Sequence, residues 1–294
     1  MNHLLCFGFG FSASALARLL SPQGWRITGT SRSAEGEERI RSLGFEAARF
    51  DGTAPSGDVT RALETASHLL ISAPPSDDGD PVLAHHRADI VTANGLRWIG
   101  YLSTIGVYGD HGGAWVDETT PETPLSDRSK RRLAAEQSWR ALTRPGAGPD
   151  VQVFRLAGIY GPGRSAIDQV RAGRARRIVS PGQVFNRIHV DDIAGTLAAA
   201  IATGGTHTVY NVTDDEPAPP QDVIGHAAKL LGVPAPPELP IEEAELSPMA
   251  QSFYSELKRV RNDRIKQDLG VRLYYPTYRE GLAAVLEGSG GSKM

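Results

Sequence analysis

The feature that most constrains the fold of this chain is a glycine-rich turn close to its N-terminus. Residues 8–13 read Gly-Phe-Gly-Phe-Ser-Ala and lie between a short apolar run at 3–7 and an amphipathic stretch at 12–20. A strand, a G-x-G-x-x-G/A turn and a helix in this order are typical of dinucleotide-binding folds. The helix N-terminus offers unpaired N–H groups and a partial positive charge, so the turn predicts a bound pyrophosphate. The alternative is a glycine turn that binds no ligand.

The small residues of this turn have separate expected roles. Gly8 would form the tight turn, Gly10 would let the backbone approach the pyrophosphate, and Ala13 would allow the helix to pack closely on the strand. The predicted cofactor-binding residues of this region are Gly8, Gly10, Phe11, Ser12, Ala13 and Ala73.

Short apolar runs alternate with amphipathic stretches over the first half of the chain. The predicted strands lie at 3–7, 25–30, 45–50, 67–72, 96–102 and 151–156, and the predicted helices at 12–20, 35–43, 81–94 and 128–142. Each apolar run is too short for a helix and is bounded by Gly, Pro or Ser, which indicates buried parallel strands. The pattern therefore predicts an α/β fold of the Rossmann type, with a doubly wound parallel sheet.

The alternation ends after the Gly-Pro-Gly sequence at 161–163. A helix at 191–202 and a strand at 208–212 follow, and prolines then become frequent. No long polar linker separates this part from the sheet, so we expect one domain over 1–294 with a small C-terminal substrate-binding lobe. The expected core is mainly 1–160 and 186–214, and the expected lobe is mainly 161–185 and 215–286. Residues 287–294 are rich in Gly and Ser and are expected to fray.

Composition excludes several classes of protein. With 31 basic residues, 34 acidic residues and 40% hydrophobic residues, the chain is typical of globular proteins and carries a formal charge of −3. This balance provides no general attraction to nucleic acid or to an anionic membrane. No apolar run approaches the 18 or so residues of a membrane helix, and the N-terminus lacks the pattern of a signal peptide. The lone Cys6 cannot form an internal disulfide, so we expect a cytoplasmic protein.

A metal site is not expected, because His189, Asp191 and Asp192 form a single cluster with no second group of ligands. The sequence leaves the oligomeric state open.

The residues at the end of the second predicted strand bear on the choice of cofactor. The sequence there is Thr30-Ser31-Arg32, with no carboxylate to bind a ribose 2′-hydroxyl. Arg32 could instead bind a 2′-phosphate and Ser31 could add a hydroxyl, so NADP(H) is favoured over NAD(H). The alternative is that Arg32 is a solvated loop residue. Asp51, after the third strand, could contact the adenine or simply form a turn.

Three further stretches extend the pattern. They are Leu-Ser-Thr-Ile-Gly-Val-Tyr-Gly at 102–109, Phe-Arg-Leu-Ala-Gly-Ile-Tyr-Gly-Pro-Gly at 154–163 and Arg-Ile-His-Val-Asp-Asp-Ile-Ala at 187–194. In this order after the glycine turn, they resemble the extended and atypical short-chain dehydrogenase/reductases, which include the NAD-dependent epimerase/dehydratases. The likeness spans most of the chain and is greatest to the YeeZ-like subgroup. It implies an oxidoreductase or redox-assisted isomerase acting on a small anionic or nucleotide-sugar-like substrate.

The resemblance implies that Thr104 is the active-site hydroxyl that hydrogen-bonds the substrate oxygen; the alternative is a threonine that caps a loop. The Tyr-x-x-x-Lys pair of this superfamily is missing. When Pro124 and Glu136 are used as anchors, Arg128 stands at the Tyr position and Arg132 at the Lys position.

A second register would place Ser126 and Lys130 at these positions, and it also lacks a tyrosine. In the first register, Arg132 would hold the ribose hydroxyls. Arg128 would stabilise an oxyanion or bind an anionic group, but a guanidinium cannot donate a proton near neutral pH. Tyr108 is the first candidate proton donor, because it follows the same strand as Thr104.

A basic segment follows the stretch at 154–163, with arginines at 164, 171, 174, 176 and 177. It suggests an anionic substrate, although a solvated basic loop is an equal alternative. Nucleic acid is disfavoured, because no aromatic residues are interleaved with these arginines. The rival to an enzyme is a non-catalytic dinucleotide-binding sensor or scaffold. The two differ in whether the cleft beside Thr104 is open and polar or filled by side chains.

Overall fold

The computed structural model describes residues 2–143 and 149–290 of the chain. Its strands are β1 (His3–Phe7), β2 (Arg26–Ser31), β3 (Glu46–Arg49), β4 (His68–Ile71), β5 (Trp98–Thr104), β6 (Trp115–Val116), β7 (Asp150–Leu156), β8 (Gly158–Tyr160), β9 (Arg177–Val179), β10 (Arg187–His189), β11 (Val209–Val212), β12 (Glu238–Pro240) and β13 (Arg259–Val260). Its α-helices are α1 (Phe11–Leu20), α2 (Ala34–Ser42), α3 (Gly57–Leu63), α4 (Pro81–Thr92), α5 (Asp127–Arg140), α6 (Ala166–Arg171), α7 (Val190–Thr203), α8 (Pro220–Leu231), α9 (Pro248–Tyr254), α10 (Asp263–Asp268) and α11 (Tyr278–Gly290). None of these helices has the length and apolar character needed to cross a lipid bilayer.

Seven parallel strands form the central sheet in the order β11-β7-β5-β4-β1-β2-β3. Successive side chains of a strand face opposite sides, so the apolar runs cover both faces of the sheet. Leu4 and Cys6 pack in a cluster with α1 and α7. Leu5 and Phe7 pack on the other face with α3, α4 and α5. The predicted doubly wound α/β fold is confirmed.

A smaller lobe follows β7 and lies over the carboxyl ends of the parallel strands. Helices α6, α8 and α11 enclose a separate apolar cluster that includes Tyr160, Ile167, Val223 and Leu282. Three short parallel ladders, β8 with β10, β9 with β12 and β6 with β13, join segments distant in the sequence. Residues 263–269 pack differently from the rest of the expected lobe, because Ile265 and Leu269 join the cluster that contains α1 and α7.

Some sequence-based boundaries were wrong. Helix α3 was not predicted, because a seven-residue helix shows little periodicity. The fifth strand runs from Trp98 to Thr104, two residues later than predicted, so Thr104 ends the strand. Residues 287–290 were expected to fray but belong to α11, while 291–294 lie outside the described residues.

Candidate cofactor and substrate site

The glycine turn joins the carboxyl end of β1 to the start of α1. Gly8 has a φ of 84°, a left-handed conformation that favours glycine, and its N–H donates to Thr30 Oγ1 at 2.8 Å. A Cβ at Gly8 would stand 3.0 Å from the backbone N of Ala73. The Ala73 N–H itself donates to the Phe7 carbonyl at 2.8 Å. Predicted cofactor residues from β1 and from the end of β4 therefore lie together.

Open space lies over the N-terminus of α1. Gly10 is the residue before this helix, and apart from its chain neighbours no described atom lies within 4 Å of the place where its Cβ would stand. The first turn of α1 carries no acidic residue. Ser12 and Ala13 are buried on the inner side of the helix. Phe11 lies against Gly161, where a Cβ would meet its ring at 3.0 Å. The start of α1, where unpaired N–H groups are expected, therefore has free space beside Gly10 and no acidic side chain in its first turn.

Ser31 and Arg32 follow β2 as the sequence predicted. The Ser31 hydroxyl donates to the Ser33 carbonyl at 3.1 Å. Arg32 is exposed and forms no hydrogen bond or ion pair with any residue that the structure describes. Asp51 instead accepts from the N–H and the hydroxyl of Thr53, at 2.9 and 2.7 Å, and these bonds lower its pKa. Asp51 therefore forms a turn, and a contact with adenine stays a prediction.

A cavity of about 930 Å³ opens between the sheet and the lobe. At the sheet end its wall includes Ser12, Ser72, Ser103, Thr104, Ser129 and Arg132, and at the lobe end it includes Arg164, Arg174, Arg176, Arg187, Tyr254 and Lys258. The cavity begins beside α1 and extends over the carboxyl end of β5. In open parallel sheets this is where ligands bind.

Thr104 and Ser129 place two hydroxyl groups at the sheet end of the cavity. Thr104 Oγ1 accepts a hydrogen bond from the Gly106 N–H at 3.1 Å, and Ser129 Oγ accepts from the Ser126 hydroxyl at 2.9 Å. A Cβ at Gly106 would lie 3.4 Å from Thr104 Oγ1 and 2.7 Å from Ser129 Oγ. Thr104 thus caps a loop and also faces the cavity. Because each oxygen accepts a bond, each O–H remains free to donate to a ligand.

Helix α5 presents Arg128 and Arg132 to the cavity. Arg132 Nη1 donates to the Leu102 carbonyl at 2.9 Å, and its guanidinium lies 5.7 Å from the Tyr101 ring. The Arg128 guanidinium lies 5.2 Å from the Phe253 ring of α9.

The structure distinguishes the two registers considered for α5. Lys130 is exposed and pairs with Asp127 at 3.2 Å, so it does not join the cavity wall. Ser126 caps the helix and reaches the edge of the cavity. The arrangement therefore supports the Arg128 and Arg132 register.

Tyr108 does not meet the expectation that it faces the substrate. Its side chain is fully buried and is absent from the described wall of the cavity. Its hydroxyl donates to Asn211 Oδ1 at 2.8 Å, and the Arg155 guanidinium lies 4.9 Å from its ring. Burial raises the pKa of Tyr108 to about 12. This placement argues against Tyr108 as the proton donor, because a donor must reach the reacting oxygen.

Sequence reasoning missed a buried polar network behind the cavity. The Ser103 hydroxyl, in the wall beside Thr104, donates to Glu136. Glu136 also binds Arg155, which in turn pairs with Glu122. Glu136 was used only as an alignment anchor, and Arg155 only as part of the 154–163 stretch. Nothing in the local pattern showed that a strand arginine and a helix carboxylate would meet.

Comparison with known proteins assigns the family. The chain is 30% identical to protein YeeZ of Escherichia coli (strain K12) over 248 residues, which cover 80% of this chain and 86% of that protein. The chain belongs to the YeeZ-like family of short-chain dehydrogenase/reductases. No family model matches the chain.

Two solved structures resemble this member of the YeeZ-like family over nearly the whole chain. One is a functionally unknown conserved protein from Silicibacter pomeroyi DSS, with 53% identity and a TM-score of 0.88 over 98% of this chain and 99% of that one. The other, from Methylobacillus flagellatus, is described as a candidate NAD-dependent epimerase/dehydratase. It has 26% identity and a TM-score of 0.72 over 98% of this chain and 99% of that one. The predicted family is confirmed.

Proposed function

We propose that this protein binds a nicotinamide dinucleotide at the turn before α1. There it would oxidise, reduce or isomerise, through a transient redox step, a small anionic or sugar-like substrate. The observation that carries the proposal is the open space over Gly10 at the start of α1, beside a cavity whose wall includes Ser12 and Thr104. The description of the Methylobacillus flagellatus relative as a candidate NAD-dependent enzyme supports the same assignment.

The end of β2 favours NADP(H) over NAD(H). The exposed Arg32 has no acidic partner among the described residues, so its charge is available to a 2′-phosphate. Ser31 stands beside it, and its hydroxyl would have to leave the Ser33 carbonyl in order to donate to that phosphate. A charge-assisted contact of this kind is stronger than a neutral hydrogen bond, which would separate the affinities of the two cofactors.

The residues at the sheet end of the cavity fit a redox reaction at an oxygen-bearing carbon. When bound, the dinucleotide supplies or accepts a hydride. The free O–H groups of Thr104 and Ser129 would hold the substrate oxygen and stabilise negative charge on it. Arg132 donates from Nη1 to the Leu102 carbonyl, and its other N–H groups would be available to donate to the ribose hydroxyls.

An enzyme is favoured over a non-catalytic sensor or scaffold by the state of the cleft beside Thr104. A protein that only bound the dinucleotide would have no need of a substrate space. Here the space is open, and its wall includes hydroxyl groups and arginines among apolar side chains.

Titration calorimetry of the whole chain with NADPH and with NADH tests the proposal. We expect NADPH to bind more tightly than NADH. Thr104→Ala should leave this binding within about two-fold, because Thr104 contacts the substrate and not the dinucleotide. A cofactor-oxidation assay over phosphorylated and carboxylated carbonyl compounds then tests the reaction, in which Thr104→Ser should retain more activity than Thr104→Ala. Failure of both cofactors to bind would overturn the assignment.

A further inference from the structure

The wall of the cavity is strongly basic although the chain as a whole is slightly acidic. The described basic residues of the wall are Arg128, Arg132, Arg164, Arg174, Arg176, Arg187 and Lys258, and its described acidic residues are Asp168 and Glu256. The formal charge of the whole chain is −3. The described wall thus carries an excess of positive charge that the chain as a whole does not have.

None of these arginines forms an ion pair with a described carboxylate. Lys258 pairs with Glu256, so that charge is already compensated. Arg187 donates to the carbonyls of Phe185 and Ala218 at 2.8 and 3.0 Å, and Arg176 donates to the carbonyl of Glu245 at 3.2 Å. These partners are neutral, so they hold the guanidinium groups in place without cancelling their charge.

The fold places the arginines of the basic segment at 164–177 in different surroundings. Arg164, Arg174 and Arg176 face the cavity. Arg177 turns the other way and pairs with Glu238 of β12 at 2.7 Å, and Arg171, at the end of α6, is absent from the described cavity wall. Of the four arginines of this segment without a described ionic partner, three line the same cavity, and Arg171 is the exception. The sorting therefore favours a ligand over the alternative of a solvated loop.

Among the arginines of the wall, Arg187 has the greatest need of a nearby negative charge, because its guanidinium is buried. Burial lowers the pKa of its guanidinium, and Asp214 is the acidic group whose charge acts on it most strongly. Burial also raises the pKa of Asp214 to about 8, which weakens its ability to compensate the charge of Arg187 near neutral pH. A desolvated cation without an anion is unfavourable, and a bound anion would offset that penalty.

We propose that the substrate carries at least two negative charges, as a phosphate group or as a pair of carboxylates, and that Arg164, Arg174, Arg176 and Arg187 bind them at the lobe end of the cavity. The proposal rests on the proposed function, in which the sheet end holds the dinucleotide. Planar guanidinium groups match the oxygens of phosphate and carboxylate in pairs, which adds directional hydrogen bonds to the attraction between charges.

Calorimetric titration of the NADP⁺-saturated protein tests the proposal. The probes are inorganic phosphate, malonate and acetate, and saturation with NADP⁺ blocks the phosphate site before α1. We expect phosphate or malonate to bind, with an affinity that falls as salt is added, and acetate to bind at least ten-fold more weakly. The tighter of the first two probes identifies the anionic group. Absence of binding for both, or equal binding of acetate, would overturn the proposal.

Two double variants provide a matched comparison with the same loss of charge. Arg174→Gln with Arg176→Gln should weaken binding of the doubly charged probe at least ten-fold. Arg171→Gln with Arg177→Gln should change it less than two-fold, because neither arginine belongs to the described cavity wall and Arg177 pairs with Glu238. An equal loss in both pairs would show only a general attraction and would contradict the proposal.

The same experiments separate this proposal from the proposed function. Retained NADPH binding with no anion binding would overturn the substrate class alone. Anion binding by the cofactor-free protein, with no binding of NADPH, would overturn the dinucleotide assignment alone.

Discussion

Arg155 on β7 and Glu136 on α5 are joined 2.8 Å apart, between Nη2 and Oε2, with both side chains almost completely removed from solvent. The pair fixes α5 against the sheet directly behind the cavity. It reaches the cavity wall through Ser103, whose hydroxyl donates to Glu136, and Ser103 precedes Thr104 in β5. The position of α5, and with it that of Arg128 and Arg132, therefore depends on a buried ionic contact.

Glu136→Gln should destabilise the protein by about 3–5 kcal/mol, because it leaves the buried charge of Arg155 without its main partner. Urea denaturation measures the change. The exposed pair of Arg26 and Glu46 is the control, and Glu46→Gln should cost about 1 kcal/mol or less. Similar losses of unfolding free energy in the two variants would mean that the buried Arg155 pair contributes no more to stability than the exposed pair.

Gly10→Val should abolish binding of NADPH and NADH while the protein remains folded. The added Cβ has no described neighbour within 4 Å beyond the adjoining residues, so the valine should be tolerated in the free protein but should occupy the space that the pyrophosphate needs. Calorimetry measures the binding, and circular dichroism measures the fold. Gly57→Val, at the start of α3, is a control, because the nearest described atom to a Cβ there, beyond the adjoining residues, is Arg61 Nη1 at 3.6 Å. Normal cofactor binding by Gly10→Val would mean that the turn holds no dinucleotide.

Arg32→Gln should weaken binding of NADPH about ten-fold and leave NADH within about two-fold, since only NADPH carries the 2′-phosphate. Parallel titrations with the two cofactors give the ratio of affinities. Arg39→Gln, an exposed change on α2, should leave that ratio as in the wild type. The assignment of Arg32 would fail if both cofactors lost affinity equally.

Tyr108→Phe should lower the free energy of unfolding by about 1–2 kcal/mol, because it leaves buried Asn211 Oδ1 without its donor. Affinity for NADPH should not change, since Tyr108 lies outside the cavity wall. Urea denaturation and calorimetry on the same variant measure the two quantities. Loss of turnover without loss of stability would instead return Tyr108 to the reaction.

Asp214→Asn should make the protein relatively more stable as the pH rises. The pKa of Asp214 is raised to about 8 in the folded state, so the folded protein holds this proton more tightly than the unfolded chain does. Its stabilising contribution is complete below about pH 4 and is lost as the pH rises through about 8. The charges of Arg187, Asp215 and Glu216 act on this carboxyl, the first lowering and the others raising its pKa.

Urea denaturation at pH 5, 7 and 9 tests this dependence. The advantage of Asp214→Asn over the wild type should grow by up to about 1.4 kcal/mol per pH unit until the pH passes about 8. Asp222→Asn, at an exposed position, serves as the control. A difference that stays constant with pH would show that Asp214 ionises normally.

The succession of strands and helices in the sheet region and the position of the glycine turn could be predicted because both rest on local signals. Apolar runs bounded by Gly and Pro determine buried parallel strands, and such strands determine a doubly wound sheet. Gly8 requires a left-handed backbone that only glycine adopts readily, which places the turn at the end of β1. The carboxyl end of β5, and therefore Thr104, was located to within two residues for the same reason.

The directions of the site side chains were decided only by the tertiary structure. Thr104 and Tyr108 are close in sequence, yet one faces the cavity while the other turns toward Asn211 on β11. Arg132 faces the cavity and Lys130 faces solvent because α5 is oriented by the buried contact of Glu136.

The surroundings of the arginines in the basic segment at 164–177 were also decided by the tertiary structure. Its arginines have the same side chain and the same charge. Arg177 pairs with Glu238, 61 residues away in the sequence, and is not part of the cavity wall, whereas Arg174 and Arg176 are part of it. A sequence pattern fixes which residues share a helix or a strand. Which way each charge points is set by partners distant in the chain, because packing and ion pairing act across space and not along the sequence.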